Sequence, residues 1–306
     1  MNNDNRSLFE MNPAMRFVVF FVMTGISLLL GFFISFSFAA FILHVPFSDL
    51  PKAMLDPTNA GISLITNAFA TIISFLIPSI AVAYFTNGEV SRNMGFHKIK
   101  NSKQVFYIII LSVAGLYLSG ALASLTQIIP ISPHLKKWAL ELEETYKQAM
   151  GAITQMKSIG DLFVNLTLVA LVPAVVEELY FRGALQKTLK DWSGNGWLAV
   201  IITAIIFSAF HFSFFGFLSR MALGILLGLI FDYTKTIWLP ILLHFINNGV
   251  AITSIYLVRN DVKKMNQVMD EGMPIYMGAI AIIAVAFILY ELKKTTYHER
   301  LENDIH

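Results

Sequence analysis

Leu171-Val-Pro-Ala-Val-Val-Glu177-Glu178-Leu-Tyr-Phe-Arg182-Gly183 ends an apolar run long enough to cross a bilayer with two adjacent carboxylates. A charged side chain at membrane depth costs at least roughly 2.5–3.5 kcal/mol on insertion scales, so it needs a partner and usually has a function. Arg182 follows Glu178 by four residues, which puts those two side chains on one helical face. Glu177 is rotated from Glu178 by about 100° and points toward other helices. The spacing therefore predicts that Glu178 is tied up by the arginine and that Glu177 is free for chemistry. Pro173, four residues before Glu177, deletes a backbone donor and predicts a bend whose freed carbonyl needs a partner.

Working outward, the whole chain agrees with a membrane setting. Of 306 residues, 56% are hydrophobic and only 14% charged, with 26 phenylalanines and a mean hydropathy of +0.65. That composition reads as an all-α, polytopic membrane helical bundle. A net charge of +2 gives no reason to expect a nucleic-acid partner. With no cysteine, disulfides, thiolate catalysis and cysteine-ligated metals are removed. The first apolar stretch, Met15–Leu43, far exceeds a signal-peptide core of about 7–15 residues, so it reads as a span.

The expected organisation is a polar tail (1–14), a single transmembrane domain (15–292) and a polar C-terminal tail (293–306). The N-terminal tail reads as disordered. The spans are expected at Met15–Leu43, Gly61–Thr86, Val105–Pro130, Asp161 onward, Trp197–Phe212, Phe217–Tyr233, Ile237–Val258 and Pro274–Leu292. That makes about eight transmembrane helices, the fifth of them short against the ~20 residues a bilayer demands. Continuous rather than alternating apolar runs argue against a membrane β-barrel.

Between the third and fourth spans, His134–Lys157 mixes Lys136, Lys137, Glu141, Glu143, Glu144 and Lys147 with Trp138, Leu140 and Leu142. It reads as an amphipathic helix outside the hydrocarbon, either a solvated connector or a cap over a cavity, the connector being favoured. Twelve lysines and arginines fall on the side of the termini and nine on the other, leaving Arg182 aside. The positive-inside bias thus places both termini in the cytoplasm of a cell inner or plasma membrane.

Few other ionisable groups interrupt the spans. His211 ends Phe207-Ser-Ala-Phe-His211, and His244 opens His244-Phe-Ile-Asn-Asn248, so Asn248 shares a face with His244. One such residue alone is commonly a helix–helix hydrogen bond worth about 0.6 kcal/mol. Together with a glutamate pair, they suggest a polar cavity. Glu177 then suits a general base acting on water, oriented with His211, while His244 and Asn248 suit donors to a developing oxyanion. Glu177, His211, His244 and Asn248 can equally ligate a divalent metal such as zinc. His-Glu-x-x-His, Gly-x-Ser-Gly and Gly-x-Gly-Asp patterns are absent. Gly224-Ile-Leu-Leu-Gly228 reads as tight helix packing. A proton-coupled carrier or a silent membrane scaffold would also use intramembrane acids, although no inverted repeat is visible.

The three motifs, in this order, resemble the CPBP family of CAAX proteases and bacteriocin-processing enzymes, also called Abi. That signature is Glu-Glu-x-x-x-Arg, then Phe-x-x-x-His, then His-x-x-x-Asn or Asp, here Glu177 to Arg182, Phe207 to His211 and His244 to Asn248. The resemblance covers about Leu162–Val258 and implies an eight-helix intramembrane endopeptidase with a hydrophobic or prenylated substrate. It implies Glu177 as the water-activating residue with His211 as partner, an oxyanion held by His244 and Asn248, and support from Glu178 and Arg182. Family members have been described both as metalloproteases and as glutamate-dependent enzymes. The first three spans lie outside the resemblance. His211 then falls at the far end of its span and His244 toward the opposite face, so span five is expected to extend past Phe212 or the helices to be staggered.

Overall fold

A computed structural model describes residues 11–269 and 272–305, and no strand occurs among them. The expectation of a disordered tail falls largely on residues 1–10, outside the described ones. Seven described helices are long and apolar enough to cross a membrane, and an eighth apolar helix is shorter. In chain order the elements used below are α1 (Pro13–Leu43), α2 (Ala60–Asn87), α3 (Ser102–Ile128), α4 (Pro133–Ile153) and α5 (Ile159–Ser193). They continue as α6 (Gly196–Ala209), α7 (Phe217–Thr234), α8 (Trp238–Val258) and α9 (Ile275–Ile305). The polar C-terminal stretch thus continues the last helix.

The helices pack as a lipid-solvated bundle does. On α1 the buried stripe is Phe20, Thr24, Ser27, Gly31, Ser35 and Ala39, mostly small residues at helical spacing. Large apolar residues such as Leu29, Phe33 and Phe41 face outward. Lipid is as apolar as leucine, so close backbone approach rather than expulsion of large side chains drives association. A Cβ on Gly31 would lie 2.5 Å from Ser74 Oγ and 3.0 Å from the Ala70 carbonyl on α2, which only glycine permits.

α5 begins with a capping box, Ser158 accepting from the Asp161 amide and Asp161 accepting from the Ser158 amide. Around Pro173 two π-helical stretches, Leu166–Leu171 and Leu179–Gln186, flank Val172–Glu178. The Val172 amide reaches back five residues to the Thr167 carbonyl. Widening the ladder just before the proline relieves the clash that would kink an ordinary helix.

The fifth span is shorter than expected. α6 is 14 residues and ends at Ala209, so it rises roughly 21 Å, against a hydrocarbon core of about 30 Å. The expected extension past Phe212 does not occur. The chain turns after Ala209, which places His211 in the turn, half-buried. Phe212, next in line, adopts a left-handed backbone conformation with φ of +50°, a costly conformation for a bulky residue.

Candidate active site

Glu178 is fully buried and accepts two hydrogen bonds on the same oxygen. Arg182 Nη1 donates to Glu178 Oε1 at 2.7 Å, and His244 Nδ1 lies 2.8 Å from that atom. Because a carboxylate only accepts, this contact puts a proton on His244 Nδ1 and leaves Nε2 facing outward from the pair. Arg182 is also fully buried; its Nη2 donates to the Gly224 carbonyl at 3.0 Å. Its guanidinium carbon stands 4.9 Å from the centre of the Phe207 ring. The cost of burying the cation is offset by a carboxylate, a carbonyl and a π face.

Glu177 is different. Its side chain keeps 14% exposure, and its Oε2 is buried without a hydrogen-bond partner among the described residues. His244 Nε2 is 3.9 Å away, too long for a direct hydrogen bond. Two hydrogen bonds of about 2.8 Å from one water span such a gap at roughly a right angle. Buried polar atoms are almost always paired, so a carboxylate oxygen left free by the protein is positioned for something the protein does not supply.

His211 stands in the turn after α6 and is half-buried. Its Nδ1 is 2.9 Å from the Phe207 carbonyl, which can only accept, so Nδ1 donates and Nε2 is left as an acceptor. Both imidazoles meet the Phe207 ring edge-on, His211 at 4.9 Å and His244 at 5.7 Å between centres. The fully buried Phe207 is therefore a contact that both histidines share. Asn248, one turn beyond His244 on α8, is half-exposed. Its side chain carries no hydrogen bond to the described residues.

The sequence reading missed why Gly224 and Gly228 matter here. Arg182 and Gln186 donate to the carbonyls of Gly224 and Gly228, each at 3.0 Å. One turn further, Lys190 Nζ pairs with Asp232 at 2.5 Å. These three donors recur every four residues on α5 and meet acceptors every four residues on α7, so the two helices run parallel in register. A Cβ on Gly224 would lie 3.0 Å from Ala204 Cα, and one on Gly228 would lie 2.8 Å from Gln186 Oε1. The pattern Arg182, Gln186, Lys190 against Gly224, Gly228, Asp232 was the signal available in the sequence.

The first two helices supply the back wall. Tyr180 Oη and Thr24 Oγ1 are 3.2 Å apart, and the Tyr180 ring packs on Phe20 and Phe75 at 4.9 and 4.8 Å.

Glu177, His211 and His244 are the ligand set of the metal-dependent alternative. Among the described residues, no group of three or more histidine, cysteine, aspartate or glutamate side chains is placed to hold a metal ion, these three included. As placed, they do not form a zinc centre.

Residues 159–250 match the family model described as type II CAAX prenyl endopeptidase Rce1-like. A protein of Bacillus subtilis (strain 168), named Uncharacterized protein YpbD, is 30% identical over 90 residues, which is 28% of this chain and 43% of that protein. The chain thus spans less than half the length of that relative. No solved structure matches. The CAAX-protease resemblance read from the three motifs is borne out over this segment, which contains all of them.

Proposed function

We propose that this protein is an intramembrane endopeptidase that hydrolyses a peptide bond in a prenylated, CAAX-type, or otherwise hydrophobic substrate. The observation that carries the reading is the asymmetry of the two glutamates. Glu178 accepts from both Arg182 and His244 through Oε1, although its Oε2 is unpartnered too, whereas Glu177 accepts no hydrogen bond from the described residues and holds Oε2 3.9 Å from His244 Nε2. The match of residues 159–250 to a CAAX endopeptidase family supports it.

Two carboxylates and one guanidinium leave one negative charge, and a low-dielectric site favours one further shared proton. The mechanism starts from the arrangement in which Glu177 is the free base and His244 Nε2–H a donor. Water held by Glu177, with His211 Nε2 accepting its second hydrogen bond, attacks the carbonyl carbon as Glu177 takes the proton. The C–O bond forms, and the carbonyl pair moves onto oxygen, which accepts from His244 Nε2–H and the Asn248 amide. When the C–N bond breaks, the proton on Glu177 passes to the departing nitrogen. The second water proton stays on the new carboxyl group and passes to the amine or solvent on release, so the products are a carboxylate and an ammonium group, with no acyl-enzyme. In this reading both termini lie in the cytoplasm.

The test is to incubate the purified protein in lipid nanodiscs with a farnesylated CAAX peptide and with a hydrophobic leader peptide, reading products by mass spectrometry. Cleavage at one bond, lost in Glu177→Gln, is expected, and hydrolysis in ¹⁸O-water should label the new carboxylate. Intact peptides together with proton-coupled uptake into liposomes would replace this reading with a carrier.

A further inference from the structure

The turn that carries His211 is held from outside the helical core by α4, a helix that contributes no atom to the reaction proposed above. Three contacts do this. Ser213 Oγ donates to Glu143 Oε2 at 2.9 Å. Arg220 Nη2 donates to the Tyr146 hydroxyl at 2.8 Å, and its guanidinium carbon lies 4.8 Å from the Tyr146 ring centre. Trp138 meets Phe214 edge-on at 6.0 Å. They bracket residues 210–220 over more than two turns of α4, which is more than a solvated connector would show.

The loop needs such support. The His211 side chain is held through Nδ1 to the Phe207 carbonyl and by its contact with the Phe207 ring, and the next residue, Phe212, is 69% exposed with a positive φ of 50°. Strained backbone of this kind persists only where its surroundings hold it. Within the loop, the Gly216 amide donates to Ser213 Oγ at 3.1 Å, so the serine hydroxyl links Glu143 to the start of α7. A Cβ on Gly216 would fall 1.7 Å from Arg220 Nη1. Glycine there is what lets the guanidinium fold onto the loop while it reaches Tyr146.

We propose that Glu143 and Tyr146 are positioning residues, which strap the 210–216 loop through Ser213 and Arg220 and thereby fix His211 at the water activated by Glu177. This rests on the hydrolytic reading of the site. It differs from a lid, because a strap stays closed during turnover and a lid must lift to admit substrate.

The experiment uses the full chain in nanodiscs with the farnesylated CAAX peptide. Tyr146→Phe removes only the hydroxyl and keeps the ring under Arg220. Glu143→Ala removes the acceptor for Ser213, whereas the side-chain carbonyl of Glu143→Gln still accepts. Misplacing a catalytic group by about 1 Å costs up to about a hundredfold. Tyr146→Phe and Glu143→Ala should therefore lower kcat between roughly tenfold and a hundredfold, with KM and melting temperature unchanged. Glu143→Gln should rescue the rate. Amide hydrogen exchange at residues 210–216 should quicken in the two slow variants, and a merely structural helix contact would not give a kcat effect at constant stability. An unchanged or raised kcat, or a change confined to KM, overturns the strap. Failure of the wild type to cleave any probe peptide would instead bring down the hydrolytic reading first, so the two failures are distinguishable.

Discussion

Replacing each glutamate in turn separates a structural carboxylate from a chemical one. Glu178→Ala leaves Arg182 fully buried with the Gly224 carbonyl as its remaining hydrogen-bond acceptor, and leaves His244 Nδ1–H facing no acceptor. Removing one partner of a buried ion pair costs about 3–5 kcal/mol, because the other charge stays behind. At roughly 2–4 °C per kcal/mol for a chain of a few hundred residues, the melting temperature should fall by on the order of 10 °C. Glu178→Gln should lose less, since its amide oxygen still accepts one of the two bonds. Glu177→Gln breaks no hydrogen bond, because Oε2 has none, and it removes an uncompensated charge. Its melting temperature should match or exceed the wild type, while kcat falls by about 10²–10⁴, the range for loss of a general base. Thermal unfolding followed by fluorescence in detergent, run beside the peptide-cleavage rate, reads both axes. Equal destabilisation by Glu177→Gln and Glu178→Ala, or near-normal turnover in Glu177→Gln, would refute the division of labour.

Other outcomes follow from the same geometry. Asn248→Ala should keep KM and lower kcat by about 10²–10³, the effect of losing one oxyanion donor; an ionised Asn248→Asp cannot donate either, and full activity there would make the residue an acceptor that orients a neighbour. Gly224→Ala forces a methyl to within 3.0 Å of the Ala204 backbone and 3.3 Å of the Phe207 ring. It should destabilise by about 1–3 kcal/mol and slow cleavage by shifting Phe207, and a wild-type melting curve would contradict the close packing. A strong chelator should leave the rate unchanged, since Glu177, His211 and His244 do not assemble a ligand set; inactivation reversed by zinc would overturn the metal-independent mechanism.

The membrane class, the number of apolar helices and the pairing of Glu178 with Arg182 were legible in the residues. Each depends on local chemistry: hydropathy summed along one segment, or a four-residue spacing on one helix. Depth and register were not legible, because they depend on where one helix stops relative to another. Hydropathy carried span five on to Phe212, since His211 alone interrupts the apolar residues from Ala209 to Phe212, yet the helix ends at Ala209. That early end puts His211 in a turn rather than on α6.

The sequence by itself therefore determined which ionisable groups interrupt the apolar helices and which carboxylate an arginine neutralises. The tertiary structure alone decided that His244 turns Nδ1 to Glu178 and Nε2 toward Glu177, and that the Phe207 ring touches both imidazoles. It also decided that α4, outside the three motifs, braces the His211 turn. The physical reason is directional. A hydrogen bond commits one atom of a side chain, and which atom is committed depends on partners 66 to 74 residues away in the chain.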